Sequence, residues 1–156
     1  MILATRVDYR LLHGQVAVSW TSGLGANCIL IANDKVSTDS VRKSAMRLAK
    51  PQGVKLVIKN IEDSIKAINS GVTDKYKLFI VVNSIDDVYK LVQGCNQIKS
   101  VNLGLTTSRE GTKNISKNIN ITDSEEKELK EMVSNGIEVE IRAVPDDHKV
   151  LVKSVL

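Results

Sequence analysis

Short apolar runs alternate with helix-length amphipathic segments along the 156-residue chain, and this alternation restricts the fold more than any other feature. Continuous apolar runs such as 27–32 are typical of strands buried on both faces, as in a parallel sheet. Segments such as 37–49 carry apolar residues at helical spacing. We therefore predict an α/β protein: a three-layer α/β/α fold with a doubly wound, mostly parallel sheet of about six to seven strands. The predicted strands are 2–8, 27–32, 54–58, 78–82, 98–103 and 137–143, and the predicted helices are 15–24, 37–49, 61–69, 84–93 and 122–133.

The composition indicates a single domain in the cytoplasm. No linker, internal repeat or low-complexity segment divides the sequence, so residues 1–156 are expected to form one domain. No run is long and apolar enough to span a membrane, and charge appears at Arg6, too early for a signal peptide. Cys28 and Cys95 have no Cys or His at metal-ligand spacing, and we expect two buried, reduced thiols.

Charge and aromatic content argue against a nucleic-acid-binding module. The lysines are scattered, and the chain has one Trp, three Tyr and one Phe, too few for a stacking surface. The net charge of +4 indicates a mild preference for anions, such as a phosphorylated ligand or an acidic partner protein.

The segment after the first predicted strand concentrates the reactive and charged side chains. Ligands of parallel sheets bind beyond the carboxyl ends of strands, which makes this loop the predicted site. The loop reads Arg6-Val7-Asp8-Tyr9-Arg10-Leu11-Leu12-His13-Gly14-Gln15-Val16.

The loop fits phosphoryl transfer through a histidine. A neutral imidazole is a nucleophile near neutral pH, so His13 is the predicted phosphoryl carrier. A planar guanidinium binds two phosphoryl oxygens at once, which suits Arg10 and Arg6 to hold the group. Asp8 is the nearest carboxylate that could fix the imidazole tautomer. Catalysis at such a site is mostly positioning and charge stabilisation.

Two residues after the histidine are predicted to bind phosphate. Gly14 lets the backbone approach a phosphate closely. If a helix starts at about Gln15, its free N–H groups point at the anion.

Two residues on other loops are predicted to line the same edge of the sheet. Asp34 follows the second strand, although a turn or cap role is the alternative there. Arg142 ends the last strand, where it could instead pair with Glu138 or Glu140.

The residue types admit a second, simpler interpretation. In it, Arg6, Asp8 and Arg10 form a surface ion-pair cluster, and His13 only hydrogen-bonds a helix end. Without further information, the loop composition favours this interpretation slightly.

A family resemblance reverses that order. Residues 8–16, with Trp20 four residues on, resemble the signature of the mannose/fructose/sorbose-family IIB subunits of the phosphoenolpyruvate-dependent phosphotransferase system, which is close to Asp-Asp-Arg-Leu-Ile-His-Gly-Gln-Val followed by a Trp. Segments 32–36, 101–104 and 144–145 resemble further stretches of the family, so the likeness covers essentially the whole chain. Tyr9 departs from the second Asp, and 105–107 depart from a frequent Gly-Met-His. The matching residues are Asp8, Arg10, Leu11, His13, Gly14, Gln15, Val16 and Trp20.

The resemblance implies a sugar phosphotransferase, a transferase whose single IIB domain spans 1–156. His13 would accept a phosphoryl group, through Nδ1, from the phosphohistidine of a IIA subunit. It would pass the group to a sugar of the mannose, fructose, sorbose or amino-sugar class bound by the membrane subunits IIC and IID. Arg10 and Arg6 would hold the phosphoryl group.

The resemblance also bears on cofactors and partners. It implies no metal and no organic cofactor, attachment to the membrane only through partner subunits, and self-association as an option. The alternative function is a non-catalytic doubly wound module that binds a phosphorylated metabolite with the same Arg/Gly loop. Such a module would not need His13.

Overall fold

Nine strands and five helices make up the chain. A computed structural model describes the backbone of residues 1–156 and every side chain except those of residues 15 and 16. The strands are β1 (Ile2–Asp8), β2 (Cys28–Ala32), β3 (Lys55–Lys59), β4 (Leu78–Val82), β5 (Ser100–Leu105), β6 (Lys113–Ser116), β7 (Ile119–Ile121), β8 (Glu138–Ile141) and β9 (Val150–Leu151). The helices are α1 (Gly14–Leu24), α2 (Ser40–Ala49), α3 (Ile61–Ser70), α4 (Ile85–Gly94) and α5 (Asp123–Ser134).

Seven strands form one sheet in the order β3-β2-β4-β1-β5-β8-β9. All neighbouring strands in it are parallel except β8 and β9, which are antiparallel. The predicted α/β class and the mostly parallel sheet are confirmed. β2 and β4 are buried at every residue, as their continuous apolar runs predict.

Three strands were not predicted. β6 and β7 form a separate antiparallel hairpin, whose residues Ile119 and Ile121 are buried. The hairpin strands are short and mostly polar, so their alternation is weak in the sequence. The short β9 joins the edge of the main sheet, and Val152 just after it is fully buried. The apolar segment 150–156 therefore packs on the domain through Val152.

Capping side chains fix the starts of three helices. Asn60, Ser84 and Thr122 each accept a hydrogen bond from a backbone N–H in the first turn of α3, α4 and α5. Thr122 and Glu125 form a capping box. Within the described part of the chain, none of the helices is long and apolar enough to cross a membrane.

The start of α2 differs from the prediction. A 3-10 turn occupies Val36–Thr38, and the helix begins only at Ser40. The cap is Asp39, whose side chain accepts a hydrogen bond from the backbone N–H of Arg42. A carboxylate at the N-cap is the stronger choice here, because it also interacts favourably with the helix dipole.

Different helices cover the two faces of the sheet, and their distribution places the loop after β1 at a switch point of the fold. α1 and α2 pack on one face, where Trp20 and Met46 join one buried cluster. α3, α4 and α5 pack on the other face, through residues such as Ile68 and Leu91. The chain leaves β1 towards the first face and leaves the adjacent β4 towards the second. Such a switch point opens a crevice at the carboxyl edge of a parallel sheet, where ligands bind.

We expect Glu128 to make the stability of the fold pH-dependent. Burial, and then the nearby Asp86, raise the pKa of Glu128 to about 8. An unfolded Glu titrates at about 4.3, so between that pH and 8 the native state holds a proton that the unfolded state has released. Stability should therefore fall as pH rises through this window, and Glu128→Gln should remove the fall. After allowance for solvent screening, the thermal midpoint of the wild type relative to Glu128→Gln should drop by about 3 °C from pH 5 to pH 8.

Thermal unfolding followed by circular dichroism at three pH values measures this difference. Glu62→Gln is the matched control, because the Glu62 side chain is 78% exposed and makes only a surface ion pair. A constant difference between wild type and Glu128→Gln at all pH values would contradict the prediction.

Candidate functional site

The loop between β1 and α1 is held by its backbone and by two buried leucines. The N–H of Leu11 donates to the carbonyl of Asp8 at 2.9 Å, and the N–H of Tyr9 donates to Leu105 of β5 at 3.0 Å. Leu11 has a φ of 61°, a left-handed conformation that is unfavourable for leucine. Its side chain and that of Leu12 are buried against the α1 face of the sheet, which offsets this strain.

His13 follows the two buried leucines and is exposed. It is the N-cap of α1, and its carbonyl accepts the first helical hydrogen bond, from Ala17. Its imidazole does not cap the helix. The helix begins at Gly14, one residue before the predicted start at residue 15, and Gly14 has a positive φ of 40°. The side chain of Gln15 lies outside the described residues, so its phosphate-binding role stays a prediction.

Asp8 is committed to arginines rather than to the histidine. Its carboxylate is 2% exposed and accepts from Nε and Nη2 of Arg10 at 3.0 and 2.9 Å, a bidentate pair. It also accepts from the backbone N–H of Arg10 at 3.0 Å, which closes a turn. These hydrogen bonds raise the pKa of Arg10. The expected role of Asp8 at the imidazole has no support in this geometry, which makes Asp8 the residue that orients Arg10.

Arg6 lies beneath the loop and not on its surface. Its side chain is 3% exposed. Nη1 donates to Oδ1 of Asn102 at 2.6 Å and to the carbonyl of Arg142 at 3.0 Å. Nη2 donates to the carbonyl of Ala143 at 2.9 Å and to Asp8 at 3.3 Å. Burial lowers the pKa of Arg6, and the Asp8 carboxylate opposes this effect. With both terminal nitrogens bonded inside the protein, Arg6 supports the site from below in this conformation.

The guanidinium of Arg6 also fits between aromatic and backbone groups. Its Cζ lies 4.8 Å from the centroid of the Trp20 ring, within cation–π range. Trp20 is buried, and its Nε1 donates to the carbonyl of Ala143 at 2.9 Å. A Cβ on Gly104 would overlap the guanidinium, so this position of β5 needs a glycine. Trp20 is thus part of the core beneath the site.

A polar chain continues from Arg6 across two more strands. Nδ2 of Asn102 approaches Oε1 of Glu140 at 3.4 Å, and Nη2 of Arg142 donates to the same oxygen at 2.9 Å. Alternating charges therefore run from the loop through β1 and β5 to the end of β8. Neither Asn102 nor Glu140 was predicted as a site residue. Each is a polar residue inside an apolar strand, as in Val-Asn-Leu and Val-Glu-Ile, and this pattern could have identified them in the sequence.

The two other predicted site residues have different positions. Arg142 joins the network through its carbonyl and its ion pair with Glu140, the alternative left open above. Asp34 belongs to a neighbouring cleft of about 510 Å³ that Asn60 and Lys90 also line. Its Oδ1 accepts from the N–H of Ile61 at the start of α3, at 3.0 Å. The structure therefore supports the cap role for Asp34.

This edge of the sheet defines a class of protein: a parallel α/β fold that presents an exposed histidine beside a carboxylate-held arginine at a switch point. Comparisons with known proteins define the class further. The family model of the PTS system sorbose subfamily IIB component matches residues 2–156. The chain belongs to this family of sugar phosphotransferase components.

Relatives and solved structures agree with the family. The N-acetylgalactosamine-specific phosphotransferase enzyme IIB component 1 of Escherichia coli (strain K12) is 36% identical over 149 residues, which are 95% of this chain and 94% of that protein. The crystal structure of the IIBSor domain of the sorbose permease from Klebsiella pneumoniae has a TM-score of 0.93 at 28% identity, covering 99% of this chain and 94% of that one. The PTS system mannose-specific EIIAB component of Escherichia coli (strain K12) is 30% identical over 145 residues, and the match covers 93% of this chain but 45% of that longer protein.

Proposed function

We propose that residues 1–156 act as one phosphotransferase IIB domain that carries a phosphoryl group on His13. The observation that supports this most is the exposed imidazole at the N-cap of α1, with the carboxylate-held guanidinium of Arg10 three residues before it in the same loop. The protein would work in the cytoplasm and reach the membrane through the IIC and IID subunits. The EIIAB name of one relative supports a IIA subunit as the phosphoryl donor.

In the first step, a ring nitrogen of neutral His13 attacks the phosphorus of the donor's phosphohistidine. A new N–P bond forms as the donor's N–P bond breaks, so one phosphoryl group moves and no oxidant or metal is consumed. The transition state spreads negative charge over three oxygens, and the protein contributes mainly positioning and positive charge. Asp8 occupies Nε and Nη2 of Arg10, which leaves Nη1 to meet a phosphoryl oxygen.

In the second step, a sugar hydroxyl attacks the phosphorus on His13. The O–P bond forms, the N–P bond to His13 breaks, and the hydroxyl proton passes to solvent or to a base on the sugar-binding subunit. The sugar would belong to the mannose, fructose, sorbose or amino-sugar class, in line with the sugars named for the relatives.

A labelled transfer reaction tests this proposal. The protein is incubated with the IIA subunit of the same transport system, phosphorylated with ³²P, and the product is separated by gel. Phosphohistidine is labile in acid and stable in alkali, so the label should be lost at low pH and kept at high pH. Mass spectrometry under alkaline conditions should place the phosphoryl group on the peptide that contains His13. Label on another residue, or none at all, would refute the proposal and favour a metabolite-binding module.

Arg10→Ala is expected to slow transfer about 100-fold with the fold retained, because one positioned charge donor is typically worth that much in the rate. Arg10→Lys should also be slow, about tenfold or more, since an ammonium cannot bond Asp8 with two parallel N–H groups and still reach the phosphoryl group. Single-turnover rates from phosphorylated IIA measure both effects. Arg109→Ala is the control, because Arg109 forms its ion pair with Glu125 and not with Asp8. Wild-type rates in both Arg10 variants would remove Arg10 from the site.

A further inference from the structure

Helix α2 exposes an apolar stripe to solvent. Val41 is 77% exposed and Leu48 is 89% exposed, and Ala45 between them is exposed as well. Their spacing of four and three residues places them on one side of the helix. The spacing predicts the helix correctly, but the side that packs on the sheet is the one with Met46, which is 6% exposed. Large aliphatic side chains this exposed, in a row on one helix, indicate a surface that another molecule covers.

Basic residues border the stripe on both sides. At 100° per residue, Arg42 lies on one flank of the stripe and Arg47 on the other, and both are exposed. The segment Ser40–Ala49 contains no acidic residue. A second copy of the same stripe would bring like charges together, which is unfavourable. The complementary surface is therefore apolar in the middle and acidic at the rim, and it belongs to a different protein.

The stripe is close enough to His13 to share one interface with it. β1 and β2 are separated by one strand, so their carboxyl ends are about 10 Å apart. His13 is the N-cap of α1, α2 begins eight residues after the end of β2, and both helices lie on the same face of the sheet. An interface that buries about 800 Å² on each partner is roughly 30 Å across, twice the ~15 Å length of a ten-residue helix. A protein that covers His13 would thus also cover much of α2.

We propose that α2 is the docking surface for the IIA phosphoryl donor, whose contact surface is apolar with a carboxylate rim. This inference rests on the proposed function, because transfer between two histidines requires the donor to sit over His13. Val41, Ala45 and Leu48 would supply the buried centre of the contact. Arg42 and Arg47 would supply its polar rim and speed association with an acidic partner.

The test measures transfer from phosphorylated IIA as a function of its concentration. Leu48→Asp should raise the half-saturating concentration at least tenfold and leave the maximal single-turnover rate unchanged, since the change lies outside the His13 loop. The double variant Arg42→Glu, Arg47→Glu should also weaken binding and should remove most of the salt dependence seen in the wild type. The controls are Val72→Asp, an exposed valine beyond α3, and Lys127→Glu, an exposed lysine on the opposite face. Thermal midpoints check that all variants fold.

Three outcomes would overturn the docking proposal. The first is an unchanged half-saturating concentration in Leu48→Asp, and the second is an equal effect in Val72→Asp. The third is that Leu48→Asp leaves transfer unchanged but no longer binds phosphatidylglycerol vesicles that the wild type binds. That result would assign the stripe to a membrane surface. The proposed function is tested separately, because binding of unphosphorylated IIA to His13→Gln by calorimetry reports docking without transfer. Intact docking with no label on His13 would overturn the function and keep the interface.

Discussion

His13→Gln is expected to reduce phosphoryl transfer to background, below about 1% of the wild-type rate, because the glutamine amide nitrogen is not a nucleophile. The fold should be unaffected. His13 is exposed and its side chain does not cap α1, so the free energy of unfolding should change by no more than about 0.5 kcal/mol. Transfer from phosphorylated IIA and urea unfolding measure the two quantities on the same sample.

The chain offers a matched control for this variant. It has two histidines, and the second, His148, lies in an exposed segment before β9. His148→Gln should keep wild-type transfer. Transfer that persists in His13→Gln and disappears in His148→Gln would move the carrier role to the second histidine.

Of the small substitutions near the site, Gly104→Ala should destabilise the fold most. The cause is the space that the added Cβ needs, not the backbone conformation of the glycine. The added Cβ would overlap the guanidinium of Arg6, which is buried and bonded to four acceptors. Displacing a buried, paired charge costs about 3–5 kcal/mol, equivalent to a fall of roughly 10 °C in the thermal midpoint of a chain this long. The shift of Arg6 should also free Asp8 and loosen Arg10, so transfer should slow in the fraction that remains folded.

Gly23→Ala separates this effect from a general cost of alanine. Gly23 lies in α1, where an added Cβ would meet Pro145 at 3.4 Å, an ordinary contact. Alanine favours helix over glycine by roughly 0.5–1 kcal/mol, so this variant should be as stable as the wild type or more so. Equal thermal midpoints for the two alanine variants would show that Arg6 can move without loss of stability.

The fold was predictable because strands such as β2 and β4 are buried on both faces. β4 matches the predicted 78–82 at both ends, since a continuous apolar run bounded by polar residues admits little else. The hairpin of β6 and β7 was missed, because it depends on contacts made elsewhere. The hydroxyl of Thr106 donates to the carbonyl of Asn120 at 2.9 Å and accepts from its N–H at 2.7 Å. The sequence of the hairpin itself does not reveal that Thr106 is its partner.

The position of the candidate loop was predictable, and so was the accessibility of some of its side chains. The loop after β1 lies at the predicted edge of the sheet, and His13 and Arg10 are at its surface. The roles of Arg6 and Asp8 were less clear, because both are buried at the end of β1 while Tyr9 and His13 are exposed, and residue type does not reveal this difference. The side chain of Arg6 is buried and bonds to residues far along the chain, such as Asn102 on β5. Which distant residues contact Arg6 depends on the order of the strands in the sheet, and a single sequence does not specify that order.

The network under the loop also bears on when the protein becomes competent during synthesis. Arg6 bonds to the carbonyls of Arg142 and Ala143, which follow it by 136 and 137 residues. At ribosomal rates of about 5–20 residues per second, the first strand must wait on the order of ten seconds for these acceptors to be made. Until then, Arg6 and Asp8 lack their final surroundings, and the loop has no fixed support. A nascent or C-terminally truncated chain should therefore contain His13 and still be a poor phosphoryl acceptor.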